Sequence, residues 1–247
     1  MKFQTSITHI TPDGERIRGY ELAELAQQNS FSRAIWLLLR GEMPTVDESK
    51  MFSAILTMAI DHGPGTASGQ VARIVASAKT SIQASLAAGI LAMGERHVAA
   101  LESAAKFFVA NHDCKDVAVL VKDLKEQKVR IPGYGHAVLT DDKRSTTLLN
   151  FARDLKLYGP YATFAEKVHS ELNKISSKPL PLNIDGSMAA ILLDLGFSPQ
   201  ALTGVFLIAR TPGLVAQATE EMTNDVGLRR LPEEFVEYIG PGPRTLA

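Results

Sequence analysis

The stretch from residue 131 to residue 144 combines a histidine in a glycine loop with an arginine. It reads Ile-Pro-Gly-Tyr-Gly-His-Ala-Val-Leu-Thr-Asp-Asp-Lys-Arg. Because glycine tolerates positive φ and close backbone approach, Gly133 and Gly135 can present the His136 ring at a loop tip. The guanidinium of Arg144 is a planar fork suited to a carboxylate. The pair indicates chemistry on a small molecule that carries a carboxylate.

Two further histidines lie at expected helix ends. His62 follows Asp61 after an apolar helix and precedes glycine, so it either caps that helix and complements its dipole or contacts a ligand. His97 closes Gly94-Glu-Arg-His97 at a junction of two helices. A helix N-terminus disfavours imidazolium, and a neutral imidazole can donate a hydrogen bond to a developing enolate oxygen. The alternative for His97 is a surface histidine in a turn.

Asp185 and Arg210 each interrupt an apolar segment. Asp185 precedes the apolar residues 188–195, where it is either the N-cap of a helix or a partly desolvated carboxylate acting as a general base. Arg210 follows the apolar residues 204–207. An arginine in that position is either paired with a buried carboxylate of the protein or directed at the carboxylate of a ligand.

The combination is more informative than any one of these residues. Imidazoles, one carboxylate and two guanidiniums suit carbon–carbon bond chemistry through an enolate, which requires no metal. The histidine spacings also contain no His-Glu-x-x-His pattern or similar set of metal ligands. The candidate site residues are, in chain order, His62, His97, His136, Arg144, Asp185 and Arg210.

Apolar periodicity predicts helices over most of the chain. Residues 3–10 and 16–18 flank Thr11-Pro-Asp-Gly14, a typical hairpin turn. No later stretch predicts a sheet, so we expect an all-α fold after this hairpin. The small-residue helices in 71–93 indicate either dense internal packing or a dimer seam. Helices are expected at 21–28, 31–40, 45–59, 68–78, 82–93, 97–111, 117–125, 146–157, 161–175, 186–195, 199–209 and 214–223.

Composition excludes several functional classes. The 247 residues are 45% hydrophobic and 21% charged with a net charge of −1, so the chain is globular and no general attraction to nucleic acid or anionic membrane is expected. Cys114 is the one cysteine, which excludes an internal disulfide and fits a reducing compartment. We expect a cytoplasmic protein, because the N-terminus lacks a signal-like apolar run and apolar stretches such as 85–93 are too short to span a bilayer.

In their order along the chain, these motifs resemble the citrate synthase superfamily, and within it the short citryl-CoA lyase branch, which includes the C-terminal lyase module of ATP-citrate lyase. Full-length citrate synthases carry additional N-terminal helices, so the length of this chain favours the short branch. The matching segments cover nearly the whole chain. They are Ile17-Arg-Gly-Tyr20, Ala34 through Pro44, Asp61-His-Gly63, Gly94 through His97, Pro132-Gly-Tyr-Gly-His136, Asn183-Ile-Asp185 and Gly204 through Gln217.

The resemblance assigns roles to individual residues. The three catalytic positions of the family fall on His97, His136 and Asp185. Asp185 is then expected to exchange the proton at the acetyl methyl carbon, His97 to stabilise the thioester enolate, and His136 to handle the citryl hydroxyl that becomes the oxaloacetate carbonyl. The residues expected to bind substrate carboxylates are His62, Arg144, Arg210 and, across a dimer interface, Arg230 or its neighbour Arg229.

The implied reaction is cleavage of citryl-CoA to acetyl-CoA and oxaloacetate. Coenzyme A enters as part of the substrate, no cofactor is permanently bound, and a homodimer or higher homo-oligomer is expected. The chain is expected to be one catalytic unit, with a large helical part at 1–130 and 205–247 and a small part at 131–204. The alternatives are a citrate or methylcitrate synthase running in the condensation direction, and a non-catalytic partner subunit or helical interaction module.

Two departures from the family pattern affect the expected substrate more than the fold. This chain has His97-Val-Ala-Ala100 where the family often has His-Gly-Gly-Ala, and the loss of two glycines narrows the space for an acyl chain or a pantetheine arm. It has Asp142-Lys-Arg144 where the family often has Asp-Pro-Arg. That change removes the proline and keeps the arginine.

Overall fold

The computed structural model describes residues 2–28, 30–94, 97, 100–135 and 140–246. These residues group into two compact units. The first contains Met1–Asp61 and Met93–Pro212, and the second contains His62–Ala92 and Gly213–Ala247. This grouping does not coincide with the expected division into 1–130 with 205–247 and 131–204, which stays a prediction.

The chain begins with a small antiparallel sheet, as the hairpin signal predicts. Strand β1 (Thr8–Thr11) pairs with β2 (Gly14–Ile17), and Thr11 lies opposite Gly14 across the turn. A third strand that the sequence analysis did not predict, β3 (Tyr20–Glu21), adds to β2, so the sheet order is β1-β2-β3. Its two residues are too few to show a period of two.

The described residues then form eleven α-helices, which confirms the all-α fold class. In the first unit these are α1 (Leu22–Gln28), α2 (Phe31–Arg40), α3 (Val46–Met58), α6 (Ala100–Asn111), α7 (Val117–Glu126), α8 (Lys143–Asp154), α9 (Pro160–Ile175) and α10 (Ile184–Asp194). The second unit contains α4 (Ala67–Ser77) and α5 (Ile82–Leu91). Helix α11 (Pro199–Asn224) begins in the first unit and ends in the second, and a short 3-10 helix follows at Glu233–Phe235.

Side-chain and glycine caps define the ends of two predicted helices. The Thr45 side chain accepts from the Glu48 N–H while the Glu48 carboxylate accepts from the Thr45 N–H, forming a capping box at the start of α3. Helix α2 ends at Gly41, which adopts φ +85° and donates its N–H to the Leu37 carbonyl. Both caps agree with the helices expected at 31–40 and 45–59.

Helix α11 corrects two expectations. The sequence predicts separate helices at 199–209 and 214–223, but the structure has one helix of 26 residues that contains Pro212. By length and composition alone α11 could cross a membrane, which the shorter apolar stretches could not, and 44% of its apolar window is buried inside the protein. One such helix is weak evidence for a membrane span, because the core helices of other proteins pass the same test.

Helix α10 is the central helix of the first unit. It packs against α6, α8 and α9, and Ile184 together with every residue from Gly186 to Leu193 is buried. An aromatic cluster extends this core, with Trp36 edge-on to both Phe52 and Phe197 at centroid distances of 5.4 and 5.0 Å. Burial of this apolar surface holds α10, and therefore Asp185 in its first turn, in a fixed position.

The second unit is held together by a charged network. The Glu221 side chain is 1% exposed and accepts hydrogen bonds from Arg73 at 2.9 Å and from Arg229 at 2.6 and 3.1 Å. The pKa of Glu221 is lowered, and the hydrogen bond from Arg229 is the largest cause.

Helices α4 and α5 of the second unit pack closely, because Gly89 leaves room for Ala72 and the Ser68 carbonyl. The packing interpretation of these small residues is therefore confirmed within the unit, and the dimer-seam interpretation stays a prediction.

Candidate active site

The glycine loop, residues 132–135, is joined by hydrogen bonds to the segment that leads into α10. The Gly135 N–H donates to the Pro181 carbonyl at 2.7 Å, and the Asn183 N–H donates to the Gly133 carbonyl at 3.0 Å. The Asn183 side-chain amide also donates to the Gly135 carbonyl at 2.9 Å. The two most specific motifs of the sequence therefore meet in space although they are 48 residues apart.

The loop takes this shape because both of its glycines have positive φ, +88° at Gly133 and +87° at Gly135. Most residues avoid that region, and glycine does not. His136 lies outside the described residues, so its ring position stays a prediction. Its backbone follows directly from Gly135, which is tied to Pro181 next to the start of α10.

Tyr134 attaches the glycine loop to helix α9. Its side chain is buried, and its hydroxyl donates to the Ala165 carbonyl of α9 at 2.9 Å. Burial raises the pKa of Tyr134 well above its ordinary value. The phenol is therefore neutral at physiological pH and acts as an anchor of the loop rather than as an acid or base.

Asp185 occupies the first turn of α10, and it is not the N-cap. Asn183 has that position, because its side-chain oxygen accepts from the Gly186 N–H at 3.0 Å. The N-cap interpretation of Asp185 is therefore wrong, since the helix begins two residues earlier than predicted. Asp185 is half-buried between buried neighbours, a setting in which a carboxylate can act on a ligand rather than on its own backbone.

Arg144 lies in the first turn of α8, which begins at Lys143 rather than at the predicted residue 146. Its guanidinium contacts the Asp142 carboxylate through two hydrogen bonds of 2.9 Å, and the Asp142 side chain is 1% exposed. Burial raises the pKa of Asp142, but the hydrogen bonds and charge of Arg144 together with the Ile184 N–H outweigh it, so the pKa is lowered. Asp142 is ionised and holds Arg144 in one orientation.

Arg210 lies in α11 and is buried. Its Nε donates to the Ala59 carbonyl at 2.7 Å, and its guanidinium lies 4.9 Å from the centre of the Phe206 ring. The pKa of Arg210 is lowered, chiefly by burial and to a smaller extent by the positive charge of Arg144. The negative charges of Asp61 and Asp185 oppose this effect.

Three predicted site residues of the first unit, Arg144, Asp185 and Arg210, are therefore within electrostatic range, since the charges of Arg144 and Asp185 both act on Arg210. Asp61 is a second acid that acts on Arg210 in the same way. The contacts described for Arg210 are with the Ala59 carbonyl and the Phe206 ring. Both alternatives for its guanidinium, a carboxylate of the protein or the carboxylate of a ligand, stay predictions.

His97 lies in a turn, half-buried, and its N–H donates to the Gly94 carbonyl at 2.9 Å. Helix α6 begins three residues later, at Ala100. The first turn of α6 is tied to α11, because the Thr203 hydroxyl donates to the Glu102 carboxylate at 3.2 Å. The structure thus confirms the helix junction expected around His97, and its contact with a ligand stays a prediction.

His62 and Arg230 belong to the second unit. The C-cap interpretation of His62 is wrong, because α3 ends at Met58 and Ala59 is its C-cap. Arg230 is exposed, whereas Arg229 is hydrogen-bonded to Glu221. Their roles as carboxylate ligands stay predictions.

A cavity of about 350 Å³ opens beside the glycine loop in the first unit. Tyr134 and Ile131 of the loop region line it together with Leu172 and Leu180. Lys125, Lys128 and Arg130 add positive charge, and the Lys125 ammonium donates to the Ile175 carbonyl. This cavity was not predicted from the sequence, although Lys128 and Arg130 lie just before the glycine loop.

No group of three His, Cys, Asp or Glu side chains within the described ranges could hold a metal ion. The expectation that the reaction needs no metal stays a prediction.

Comparison with known proteins decides the family. The family model for the C-terminal domain of citrate synthase matches residues 1–59 and 44–231. The chain belongs to the citrate synthase family. The chain is similar over its full length to a solved structure of citryl-CoA lyase from Hydrogenobacter thermophilus. The two chains are 42% identical and superpose with a TM-score of 0.94, and the match covers 99% of this chain and 97% of that one.

Two more distant relatives of this member of the citrate synthase family are similar over most of its length. ATP-citrate synthase beta chain protein 1 of Arabidopsis thaliana is 29% identical over 209 residues, which are 77% of this chain and 34% of that protein. Citrate synthase 2 of Bacillus subtilis is 26% identical over 245 residues, 98% of this chain and 64% of that protein. The chain therefore spans about a third of the length of the first ATP-citrate synthases that it matches.

Proposed function

We propose that this chain cleaves (3S)-citryl-CoA to acetyl-CoA and oxaloacetate. The observation that carries the proposal is the joining of the glycine loop to the start of α10, which brings the backbone next to His136 beside the helix turn that carries Asp185. The 42% identity with a citryl-CoA lyase over both chains, against 26% with a citrate synthase, supports cleavage over the condensation alternative.

The proposed mechanism begins at the hydroxyl of the citryl group. His136 accepts the hydroxyl proton, the oxygen forms the carbonyl of oxaloacetate, and the electrons of the breaking carbon–carbon bond pass to the thioester as an enolate. His97 donates a hydrogen bond to the enolate oxygen, and Asp185 in its acid form delivers a proton to the terminal carbon, which becomes the methyl group of acetyl-CoA. A thioester enolate is accessible only when acid–base and oxygen-side groups act together.

The carboxylates of the substrate are held by the two guanidiniums. Arg144 is oriented by Asp142, and Arg210 is held by the Ala59 carbonyl and the Phe206 ring. Charge-assisted hydrogen bonds in a partly buried setting bind carboxylates strongly and in a fixed orientation. His62 is a further proposed carboxylate ligand, and Arg230 is proposed to act across a dimer interface. Arg230 is favoured over Arg229 because Arg229 is already bonded to Glu221.

Coenzyme A enters as part of the substrate. We assign its nucleotide end to the 350 Å³ cavity beside the glycine loop, because apolar walls suit a base and the ammonium and guanidinium groups suit phosphates. Lys128 and Arg130 are the cations adjacent to the loop in sequence. The reacting carbon would then lie on the far side of the loop from the nucleotide.

We further propose that the enzyme is cytoplasmic and works as a homodimer or larger homo-oligomer. The C-terminal segment of the second unit exposes a series of apolar side chains, and exposed apolar patches mark protein interfaces. These residues include Val226, Leu228, Leu231, Phe235, Tyr238 and Ile239. Light scattering on the purified chain should give at least a dimer, and a monomer would contradict this part of the proposal.

The experiment that tests the function supplies citryl-CoA and, separately, oxaloacetate with acetyl-CoA. Cleavage is followed by reduction of the oxaloacetate formed, and condensation is followed by the free thiol of coenzyme A. We expect cleavage, and we expect Asp185→Ala to abolish it while the circular dichroism spectrum stays unchanged. Condensation without cleavage would favour the synthase alternative. Absence of both reactions would favour a non-catalytic subunit.

A further inference from the structure

Asp142 is a buried carboxylate next to the proposed site that accepts four hydrogen bonds. One of its oxygens, Oδ1, accepts from the Arg144 N–H at 3.2 Å and from the Arg144 Nε at 2.9 Å. The other, Oδ2, accepts from the Arg144 Nη2 at 2.9 Å and from the Ile184 N–H at 2.9 Å. Its side chain is 1% exposed. One buried carboxylate therefore binds two elements that are 42 residues apart.

These contacts go beyond those of a helix cap. As the N-cap of α8, Asp142 needs only the hydrogen bond from the Arg144 N–H. The remaining three bonds hold the guanidinium of Arg144 in its plane and attach it to the first backbone N–H of α10. Ile184 directly precedes Asp185. A displacement of α8 relative to α10 would therefore disturb the guanidinium and the acid together.

We propose that Asp142 is a positioning residue of the reaction, coupling the carboxylate-binding Arg144 to the proton-donating Asp185. Through Asp142 the substrate carboxylate held by Arg144 and the carbon that Asp185 protonates keep one relative geometry. This inference rests on the proposed function. A misplacement of about 1 Å in such an arrangement can cost about a hundredfold in rate.

The test separates coupling from capping. Asp142→Ser keeps a hydroxyl that caps helices well, but it cannot bind the Arg144 guanidinium and reach Ile184 at once. Asp142→Asn keeps the size of the side chain but removes its charge. We expect each variant to lower kcat for citryl-CoA cleavage by about 10- to 100-fold. The matched control is Asp116→Asn at the N-cap of α7, where the Asp116 carboxylate accepts from the Val119 N–H as an ordinary cap, and kcat should stay at the wild-type value.

A double-mutant cycle with Arg144 distinguishes a positioning role of Asp142 from a purely structural one. In an Arg144→Gln background, Asp142→Asn should slow cleavage much less than it slows the wild type, because the two residues act as a unit. Equal slowing in both backgrounds, or a wild-type kcat in a folded Asp142→Ser protein, would overturn the inference alone. If Asp142→Asn does not fold, Asp142→Ser decides. Absence of turnover in the wild type would overturn the proposed function and this inference with it.

Discussion

The backbones of Gly133 and Gly186 touch. The Gly133 carbonyl oxygen lies 2.5 Å from the position that a β-carbon on residue 186 would occupy, and a β-carbon on residue 133 would lie 2.9 Å from the Gly186 Cα. Real β-carbons essentially never approach other atoms so closely. The glycine loop can therefore meet the first turn of α10 only because neither residue has a side chain.

Gly186→Ala should accordingly separate the loop from α10. We expect a loss of about 1–3 kcal/mol in the free energy of unfolding, from overpacking a closed contact, and a fall in turnover because His136 directly follows the loop in sequence. Urea unfolding followed by circular dichroism measures the first effect. The control is Gly204→Ala in α11, where a β-carbon meets nothing within 4 Å. That variant should be neutral or up to about 1 kcal/mol more stable, and equal stability of the two variants would contradict the packing argument.

Arg210 should be required for substrate affinity more than for folding. Arg210→Met removes a buried guanidinium but keeps an apolar side chain that can pack on Phe206. We expect kcat/KM for citryl-CoA to fall by about 10- to 100-fold, since charged hydrogen bonds contribute about 1.5–3 kcal/mol. Steady-state kinetics measure this loss.

The matched control for Arg210 is Arg153→Met. Arg153 pairs with Glu166 and lies 4.3 Å from the Tyr158 ring centre, in contacts within the protein. It should change stability without changing kcat/KM. An unaltered kcat/KM in Arg210→Met would remove that residue from the substrate site.

His169 should make stability depend on pH near neutrality. Burial lowers its pKa from the ordinary value of 6.5, while the negative charges of Glu166 and Asp141 oppose that effect. The unfolded chain therefore binds a proton at higher pH than the folded chain does, so this group stabilises the fold above about pH 6.5 and the contribution is lost as the pH falls below it.

The measurement for His169 is the urea midpoint between pH 7.5 and pH 5.5. His169→Gln, which removes the titrating group, should reduce the pH dependence of that midpoint. A steeper dependence than that of the wild type would show that the sign is wrong.

Lys128 and Arg130 should contribute to affinity through the coenzyme A part of the substrate. Replacing either by Ala should raise KM for citryl-CoA by up to about fivefold, because a solvent-exposed ion pair contributes at most about 1 kcal/mol, and leave kcat unchanged. The increase should shrink at high salt. Lys79→Ala in the second unit, whose ammonium pairs with Asp225, is the control. If the control raises KM equally, the nucleotide does not lie beside the glycine loop.

The sequence predicted most of the fold because its signals were local. The Thr45 capping box and Gly41 mark helix ends within one turn of the chain. The continuity of α11 was not predictable in this way. Pro212 followed by glycine is a typical helix break, yet Ala209 and Leu214 on either side are buried. Packing of the long helix overrides the local signal.

In the candidate site, the sequence pointed to the residues that could do chemistry but not to the contacts that position them. Asp185 and Arg210 stand out as polar groups in apolar runs. Asp142 does not, because its significance depends on a bond to the Ile184 N–H across 42 residues. Whether Asp185 is the N-cap of α10 depended on where that helix begins; it begins at Ile184, so Asn183 has the N-cap position. Such facts follow from tertiary structure and are not visible in spacing.

The most direct test of the central claim is cleavage of citryl-CoA in D₂O with mass analysis of the acyl-CoA product. If Asp185 protonates an enolate with a proton that exchanges with solvent, the acetyl-CoA formed carries one deuterium in its methyl group and an equal amount of oxaloacetate appears. Free coenzyme A with citrate, or acetyl-CoA without the label, would contradict the account.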